Sequence, residues 1–417
     1  MRIGFFTDTY TPQINGVVTS IRLFAKALER QGHTVYIFAP TPRQPSDGPR
    51  VIRIPSIPFV FQPEMRLAAM YSAHAYRLVR RANLDVIHSH DPFAIGLFGL
   101  AMAKRFRIPH VHTYHALFAE YVHYVWETHL ARELVDRLSK EFCDQCDTII
   151  APSSKIERAL LGWGVTTPVV TLPTGVDARR FAPRDGDAAT IAAFRKHYRI
   201  PADARLLTFV GRLGLEKNVD LLIAALAKIK TPEARLMIVG DGPHRGELVK
   251  HLKSVGVRDR AIFTGYLGPE DVRIAYHASE ALFFASTSET QGLVITEAMA
   301  AGLPAIAVED LAIADAVETG VNGLLVPGSA LALADAVDRL LADDALRASM
   351  GAASRRRAEN LSIENQAARL AAVYEGLLET HASPRRVGDR RRAVRKRVLR
   401  QVAVLRRRGG RVVRRYL

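Results

Sequence analysis

The sequence has 417 residues, of which 48% are hydrophobic, enough for two or three domains with buried cores. Its two cysteines exclude a disulfide-rich secreted scaffold and favour a reducing compartment. The first ten residues lack the apolar core of a signal peptide, and the longest apolar run, Ala94–Ala103, is too short to span a bilayer. We therefore expect a soluble or peripheral protein.

The net charge of +16 is concentrated at the C-terminus. Residues 384–417 hold 15 Lys and Arg and one acid, whereas the rest of the chain holds 43 basic and 41 acidic residues. Apolar residues recur there at helical spacing: Val387, Val394, Val398, Val402 and Leu405. This basic tail, residues 381–417, predicts binding to an anionic membrane surface. Because the near-neutral remainder carries no recognition motif for nucleic acid, we expect no nucleic-acid partner. A disordered tail without a dedicated partner is the alternative.

The chain opens with a β-α-β pattern that predicts a parallel sheet. Arg2–Phe6 and Thr34–Ala39 are apolar strands, and Val17–Gln31 is an amphipathic helix between them. The connecting loop lacks G-x-G-x-x-G, which argues against a dinucleotide oxidoreductase. Gly16, just before the helix, would let a phosphate approach the helix N-terminus, although glycine is also an ordinary turn residue.

Histidines are concentrated around two later strands, Val86–Ser89 and Val111–Thr113. They are His88, His90, His110, His112 and His115. The spacing H-x-H-x-x-H raises the possibility of zinc. However, residues 110 and 112 share one face of a buried strand, where neutral histidines often only make hydrogen bonds. His115 differs because it follows the carboxyl end of its strand, where open α/β sheets bind ligands.

Cys143 and Cys146 form a C-x-x-C pattern. A redox pair normally opens a helix after a strand, whereas this pair closes a helix before the strand Thr148–Ala151. No further zinc ligands follow at suitable spacing. We therefore expect neither redox nor metal chemistry from these thiols.

The second half of the chain restarts the β-α-β pattern with Leu206–Val210, Asn218–Lys228 and Leu236–Val239. Arg212 and Lys217 lie at the carboxyl end of the first of these strands. Two cations converging there would neutralise a diphosphate. The alternative is that both are ordinary surface residues.

Two acids lie eight positions apart, Glu289 and Glu297, on either side of Gly292. The segment Leu293–Ala301 predicts a helix whose first N–H groups would face an anion. On one helix the two acids would be roughly 12 Å apart, too far to share a metal but suited to the two ends of an elongated ligand. An exposed loop acid and a helix acid near the favourable end of the dipole are the alternative.

These motifs together resemble a known family. E-x₇-E at Glu289 and Glu297, followed by A-x-A-x-G-x-P at Ala298–Pro304, is similar to the donor-binding signature of retaining glycosyltransferases of family four. The R-x₄-K at Arg212 and Lys217 agrees with that family, and the resemblance extends to about residue 380. It implies the α/β fold class called GT-B, with two Rossmann-like doubly wound domains facing across a cleft. The implied domains are an acceptor domain (1–173), a donor domain (174–361), a closing helix crossing back (362–380) and the basic tail (381–417).

The resemblance also implies roles for residues. Glu289 would bind the hydroxyls of the donor sugar, Glu297 its ribose, and Arg212 and Lys217 its diphosphate. His115 would face the sugar, and Tyr266, in Gly265-Tyr-Leu-Gly268, the nucleotide base. The remaining residues implied in donor binding are Gly16, Thr290, Gln291, Gly292 and Leu293. Thr174 stands where the family usually has Asn. The D-x-D at Asp185–Asp187 has no strand before it, so we interpret it as solvated linker.

The aromatic-rich segment Phe118–Phe142 contains Tyr121, Tyr124 and Trp126. The stretch HTYHALFAEYVHY, residues 112–124, overlaps the start of this segment and resembles bacterial glycosyltransferases that act on diacylglycerol. Amphipathic aromatics suit a lipid acceptor or a membrane boundary, and a helix packing its core face is the alternative.

The implied activity is retaining, metal-independent transfer of a hexose, glucose, from a nucleotide sugar such as UDP-glucose to diacylglycerol. We expect no cofactor and a peripheral location on the cytoplasmic face of the cell membrane. The alternatives are mannosyl transfer to phosphatidylinositol or a polysaccharide, a nucleotide-sugar epimerase, and a non-catalytic membrane or nucleic-acid scaffold.

Overall fold

The computed structural model describes residues 1–59, 62–117 and 129–382. It contains two compact units. Unit 1 combines Met1–Gly175 with the segment that begins at Ile363, and unit 2 is Val176–Ser362. The assignment of acceptor and donor roles to separate domains stays a prediction.

The first part of unit 1 supplies nine strands and five helices among the described residues. In chain order they are β1 Arg2–Phe6, α1 Gly16–Arg30, β2 Thr34–Pro40, β3 Val51–Ile54, β4 Ser56–Phe59, β5 Gln62–Ala68, α2 Ala73–Ala82, β6 Val86–Ser89, α3 Ala94–Phe106, β7 His110–Thr113, α4 His129–Cys143, β8 Thr148–Ala151, α5 Ser154–Gly162 and β9 Val169–Thr171.

Unit 2 alternates strands and helices in the same way. In chain order its elements are α6 Ala178–Phe181, α7 Asp187–His197, β10 Arg205–Val210, a 3₁₀ turn Leu215–Lys217, α8 Val219–Leu226, β11 Ala234–Val239, α9 Arg245–Ser254, a 3₁₀ turn Arg258–Arg260, β12 Ala261–Gly265, α10 Pro269–His277, β13 Ala281–Phe284, α11 Leu293–Ala301, β14 Ala305–Val308, α12 Leu311–Ala314, β15 Gly323–Val326, α13 Ala330–Ala342 and α14 Asp344–Asn360. The chain then returns to unit 1 as α15, Ile363–Ala382.

The large sheet of unit 1 is parallel, with the strand order β3-β2-β1-β6-β7-β8-β9. Helices cover both faces, so β1 is an apolar run and not an alternating one. The strand order reverses between β1 and β6, and this switch point is where doubly wound sheets open a crevice for ligands. β4 and β5 pair separately as an antiparallel hairpin.

Helix α15 is part of the core of unit 1. Leu370, Tyr374 and Leu377 are buried in the cluster that includes Ile21, Phe24 and Leu28 of α1. The side chain of Gln31 also donates to the carbonyl of Glu364 at the start of α15, at 3.0 Å. Unit 1 is therefore completed by the last helix that the structure describes.

The sheet of unit 2 is also parallel, with the order β12-β11-β10-β13-β14-β15. Its switch point lies between β10 and β13. Both sheets thus have the doubly wound order, which confirms the predicted α/β class with two Rossmann-like domains.

The interpretation of Asp185–Asp187 as solvated linker is wrong for Asp187. This residue is the first of α7, and its two carboxylate oxygens accept from Nη1 and Nη2 of Arg273 at 2.7 and 2.6 Å. These hydrogen bonds lower the pKa of Asp187. Its carboxylate therefore joins α7 to α10.

Candidate active site

The predicted diphosphate clamp and the first acid lie on neighbouring loops of unit 2. Arg212 and Lys217 follow β10, and Glu289 follows β13. Because β10 and β13 are paired parallel strands at the switch point, their carboxyl ends are adjacent. Residues 72 positions apart in the sequence therefore meet at one edge of the sheet.

Lys217 and Glu289 form an ion pair. Nζ of Lys217 donates to Oε1 of Glu289 at 2.5 Å, and the side chains are only 22% and 15% exposed. Partial burial strengthens such a pair because water screens it less. The two residues that the sequence assigns to the phosphate and the sugar thus neutralise each other.

Arg212 is held by a residue that the motif does not include. Its Nη2 donates to Oε1 of Glu216 at 2.5 Å, leaving the Arg212 side chain 54% exposed. Oε2 of Glu216 is buried and has no hydrogen-bond partner among the described residues. The hydroxyls of Ser286 and Ser288 donate to the carbonyl of Glu216, both at 3.4 Å, and so join the two loops.

Gly292 sets the entry into α11. Its φ of +74° lies in the left-handed region, which glycine adopts without strain. The helix begins at Leu293, as predicted, and the N–H groups of Leu293 and Val294 have no partner within a helix. An anion placed beside Glu289 would meet these donors. Thr290, Gln291 and Leu293 are half-buried in this loop.

Glu297 lies on α11 above a buried tyrosine. Oη of Tyr276 donates to the carbonyl of Val294 at 3.3 Å and lies 3.4 Å from Oε2 of Glu297. Burial raises the pKa of Glu297 to about 7, and the positive charge of Arg180 and the Tyr276 hydrogen bond oppose this shift. The second acid of the motif therefore titrates near neutral pH.

The loops after β11 and β12 border the same edge. Gly240 has a φ of +126°, and a Cβ there would lie 2.0 Å from the carbonyl oxygen of Gly211, so only glycine allows this approach. Tyr266 is 74% exposed, and its hydroxyl donates to the carbonyl of Asp241 at 3.2 Å. Its predicted contact with a nucleotide base remains a prediction.

In unit 1, Gly16 is the exposed first residue of α1. The side chain of the preceding residue, Asn15, accepts from the N–H of Val18 at 2.9 Å and caps this helix. One of the N-terminal donors is therefore already used. The binding of a phosphate at Gly16 stays a prediction.

The strand histidines make hydrogen bonds to a serine of the neighbouring strand. Ser89 Oγ lies 2.9 Å from both His110 Nε2 and His112 Nδ1, which confirms that the two rings share a face. Burial lowers the pKa of both, that of His110 to about 4. Among the described residues no group of three or more His, Cys, Asp or Glu is placed to hold a metal ion. The zinc interpretation therefore finds no support in this part of the chain.

His115 lies past the end of β7 and is half-buried. Its Nε2 is 3.0 Å from Nδ1 of His90, a residue just past the end of β6. Burial lowers the pKa of His115 to about 3, so its ring is neutral. Its predicted position facing a donor sugar is not tested by these contacts.

Cys143 and Cys146 are buried free thiols. Burial raises the pKa of Cys143 to about 12 and that of Cys146 well above its ordinary value. A thiol that stays protonated is a poor nucleophile and a poor metal ligand. Their surroundings therefore do not favour the thiolate form.

Comparisons with known proteins decide the family. The family profiles "Glycosyltransferase Family 4" and "Glycosyl transferases group 1" match residues 14–180 and 190–357. The alpha-monoglucosyldiacylglycerol synthase of Streptococcus pneumoniae is 35% identical over 74% of this chain and 71% of that protein. The protein of the same name from Acholeplasma laidlawii is 32% identical over 78% of this chain and 84% of its own. The chain belongs to the glycosyltransferases of family four.

Solved structures agree in fold. Anabaena HepE in complex with UDP superposes with a TM-score of 0.72 at 20% identity, covering 89% of this chain and 98% of that one. Sucrose-phosphate synthase from Thermosynechococcus elongatus gives 0.72 at 24% identity, covering 91% and 99%. At these identities the likeness shows the fold, and it confirms the predicted GT-B class for this glycosyltransferase.

The sequence motifs missed several polar residues of this glycosyltransferase. Glu216 and Tyr276, described above, contact predicted site residues. At the switch point of unit 1, the carboxylate of Asp8 accepts from the N–H groups of Ile95 and Gly96 at 2.9 and 3.2 Å. Oδ2 of Asp91 accepts from Oγ1 of Thr7 at 2.9 Å and from the N–H of Asp8 at 3.0 Å.

Asp8 and Asp91 are buried enough for the pKa of each carboxyl group to rise. Burial and the nearby Asp91 raise the pKa of Asp8 to about 7, and burial raises that of Asp91 to about 6. Asp8 and Asp91 each follow a strand by two residues, β1 and β6 respectively. Both residues could have been found from the sequence, because each is an acid just past the end of a strand that borders the switch point.

Two predictions lie outside the described residues. One concerns the start of the aromatic-rich segment, residues 118–128, with Tyr121, Tyr124 and Trp126. The other concerns the basic tail from residue 383 onward. In the part of the chain that the structure describes, no helix is long and apolar enough to cross a membrane.

Proposed function

We propose that this glycosyltransferase transfers a glucosyl residue from UDP-glucose to the free hydroxyl of diacylglycerol. The observation that carries the proposal is the meeting of Lys217 and Glu289 at the switch point of unit 2. Two relatives that are 35% and 32% identical to this chain over the aligned residues are named alpha-monoglucosyldiacylglycerol synthases. Anabaena HepE, of the same fold, has been solved with UDP-glucose.

The donor enters by separating the Lys217–Glu289 pair. Its diphosphate takes Lys217 and Arg212, and the N–H groups of Leu293 and Val294 bind the same anion. Glu289 then accepts hydrogen bonds from the sugar hydroxyls, and Glu297 from the ribose. The remaining donor contacts in this proposal are Gly16, His115, Tyr266, Thr290, Gln291 and Gly292.

In this proposal the transfer retains the configuration of the anomeric carbon, because the acceptor attacks on the face from which the diphosphate departs. The bond from the anomeric carbon to the diphosphate oxygen breaks, and a bond from the same carbon to the acceptor oxygen forms on the same face. The acceptor proton passes to the departing diphosphate oxygen. Negative charge grows on that diphosphate, and Arg212 and Lys217 stabilise it. Because these cations supply positive charge at the leaving group, we propose that the transfer needs no metal ion or other cofactor.

The acceptor places the enzyme at a membrane. We assign the basic tail, with 15 Lys and Arg among residues 384–417, to the anionic inner face of the cell membrane. Each cation near such a surface contributes about 1 kcal/mol, screened by salt. A peripheral enzyme on the cytoplasmic side would meet both a soluble donor and a lipid acceptor.

The test is a transfer assay on vesicles of phosphatidylglycerol that contain diacylglycerol, phosphatidylinositol or neither, given UDP-glucose, UDP-galactose or GDP-mannose. We expect a glucosyl lipid only with UDP-glucose and diacylglycerol, an α-linkage by NMR, and unchanged activity in EDTA.

Mannosyl transfer to phosphatidylinositol would instead support the mannosyltransferase alternative. The GDP-mannose-dependent alpha-mannosyltransferase of Corynebacterium glutamicum, 28% identical over 78% of this chain and 76% of that protein, favours testing it. Interconversion of sugars without acceptor would indicate an epimerase, and donor binding without turnover would indicate a scaffold.

A further inference from the structure

Three histidine rings form a row at the carboxyl ends of β6 and β7 in unit 1. This histidine row consists of His88, His90 and His115. The rings of His88 and His90 stack with centroids 4.4 Å apart and planes 23° apart, and those of His90 and His115 with 5.3 Å and 24°. His90 is thus the middle ring and contacts both neighbours.

The inner end of the histidine row is fixed on both sides. His88 Nδ1 lies 2.6 Å from Oη of Tyr374 on α15, and its Nε2 lies 2.7 Å from Oγ1 of Thr113 on β7. Both nitrogens of His88 are therefore used within the protein. This ring provides a rigid base for the His90 ring.

The outer contact joins two ring nitrogens. His90 Nδ1 and His115 Nε2 are 3.0 Å apart, a hydrogen-bonding distance. Burial lowers the pKa of both residues, so both rings are neutral and each has one N–H and one lone pair. One proton must lie between the two nitrogens, and it belongs either to His90 or to His115.

The other nitrogen of His90 decides between these arrangements. Nε2 of His90 is buried and has no hydrogen-bond partner among the described residues. If His115 donated, His90 would carry its proton on this Nε2, as a buried N–H without an acceptor. If His90 donates, the same Nε2 is only an unused lone pair. Among buried backbone groups, N–H groups without an acceptor are rarer than under-satisfied carbonyl oxygens, and we apply the same order to these ring nitrogens.

An aromatic ring offers only a weak substitute acceptor. Phe5 lies edge-to-face with His90, with ring centroids 4.8 Å apart. An N–H directed at a ring face is a second-order interaction, weaker than a hydrogen bond to a nitrogen lone pair. It compensates only in part for a buried Nε2–H.

We infer that His90 is a positioning residue, which donates from Nδ1 to Nε2 of His115 and holds His115 in the tautomer with its proton on Nδ1. The Nε2 lone pair of His115 is then occupied by His90. What His115 offers to a substrate is an N–H donor at Nδ1, suited to a sugar hydroxyl oxygen, and not a general base. The tautomer follows from unit 1 alone, and only the sugar as partner rests on the proposed function.

The direct test is the tautomer of His115 in the full-length enzyme without substrate. Long-range ¹H–¹⁵N spectra of ¹⁵N-histidine protein distinguish protonated from bare ring nitrogens, and His115→Gln assigns the signal. We expect a bare Nε2 and a protonated Nδ1. A protonated Nε2 on His115 would overturn the inference. Since no substrate is present, this result is independent of the proposed transfer reaction.

The functional test compares two variants of His90. Asn places an amide nitrogen near the position of Nδ1 and can still donate, whereas Phe keeps the ring shape without a donor. With UDP-glucose and diacylglycerol, we expect His90→Phe to lower kcat about 10- to 100-fold with little change in KM, and His90→Asn to retain most of it.

A purely structural role for His90 would affect the two variants in the opposite order, because Phe preserves the stacking and Asn does not. Equal kcat for His90→Phe and the wild type, with an unchanged His115 spectrum, would remove His90 from the mechanism. If neither variant folds, the spectrum of the wild-type enzyme still decides.

Discussion

Lys217 forms an ion pair with Glu289, and removal of Lys217 therefore affects both residues. We expect Lys217→Ala to lower kcat roughly 30- to 1,000-fold, because a contact that strengthens as the diphosphate departs is worth on the order of 2–4 kcal/mol. The variant also leaves Glu289 without its cation, so donor affinity should change less than turnover. Steady-state kinetics at saturating donor measure this.

The matched control is Lys228→Ala, an exposed lysine of the same unit that is not part of the predicted site. It should behave as wild type. Near-normal turnover of Lys217→Ala at saturating donor would exclude Lys217 from the clamp.

The two acids of the motif should differ in their effects. Glu289 contacts Lys217 on the loop, whereas Glu297 lies on α11 against Tyr276. We expect Glu289→Gln to lower kcat most, since it is assigned to the reacting sugar. Glu297→Gln should chiefly raise the KM of the donor, since ribose binding is remote from the reaction centre. Exchanged phenotypes would mean that the donor lies in the opposite orientation.

Glu297 also predicts a pH dependence of stability. Its pKa in the folded protein is about 7, above the ordinary 4.5, so the folded state binds this proton more tightly than the unfolded chain. Its contribution to the free energy of unfolding is present in full below about pH 4.5 and is lost as the pH rises through about 7.

Glu297→Gln removes this titration. Relative to wild type, the variant should gain on the order of 2 kcal/mol in the free energy of unfolding between pH 5 and pH 8, less if water reaches the carboxylate. Urea denaturation of both proteins across this range is the measurement. A constant difference between them would show that Glu297 titrates normally.

At the scale of elements, the last described helix, α15, is joined to the rest of unit 1 by apolar packing and by several polar contacts, of which the one at Tyr374 is buried. Tyr374 of α15 is fully buried, and its hydroxyl is 2.6 Å from Nδ1 of His88. We expect Tyr374→Phe to lower the unfolding free energy by about 1–3 kcal/mol, because a buried ring nitrogen loses its partner. Thermal or urea unfolding of the full chain measures this change.

The control for this prediction is Tyr71→Phe, at a tyrosine that is 63% exposed. It should be close to neutral. If Tyr374→Phe is equally neutral, the hydrogen bond between Tyr374 and His88 does not stabilise the attachment of α15.

At the scale of the whole molecule, charge is distributed unevenly between the catalytic part and the basic tail. Removal of residues 384–417 takes away 15 Lys and Arg and one acid. We expect the truncated protein to keep activity on detergent-dispersed acceptor and to lose sedimentation with anionic vesicles. The full-length protein should lose sedimentation progressively with salt, since screening weakens each cation's attraction to the surface.

The control uses neutral phosphatidylcholine vesicles. Because these vesicles carry no net charge, they should not attract the basic tail, and neither the full-length nor the truncated protein should sediment with them. Equal binding of both proteins to anionic vesicles at low salt would contradict the prediction. The aromatic segment Phe118–Phe142 would then be the candidate anchor.

The sequence predicted the bounds of some helices and strands more accurately than those of others. Helix α11 spans Leu293–Ala301 as predicted, and the glycines that flank it, Gly292 and Gly302, both adopt left-handed conformations. Helix α8 begins one residue later than predicted, because Asn218 is itself left-handed, with a φ of 52°. The hairpin of β4 and β5 was not anticipated, since its pairing depends on neighbours and not on a strong alternating pattern.

The sequence by itself determined the doubly wound class and, through motifs that resemble those of known proteins, the family. The roles of the site residues stay predictions. The fold class follows from short-range patterns: apolar runs of strand length, helix periods, and polar residues placed just after strands. Polar residues that follow different strands lie close together in the structure because parallel strands bring their carboxyl ends to one edge of a sheet.

Only the tertiary structure decided which polar groups contact one another. Lys217 pairs with Glu289 across two loops, Tyr276 lies under Glu297, and Tyr374 reaches the histidine row from far along the chain. The tautomer of a buried histidine and the pKa of a buried acid depend on these partners and on the exclusion of water. Both are set by distances of a few ångströms between residues remote in sequence, which no local pattern encodes.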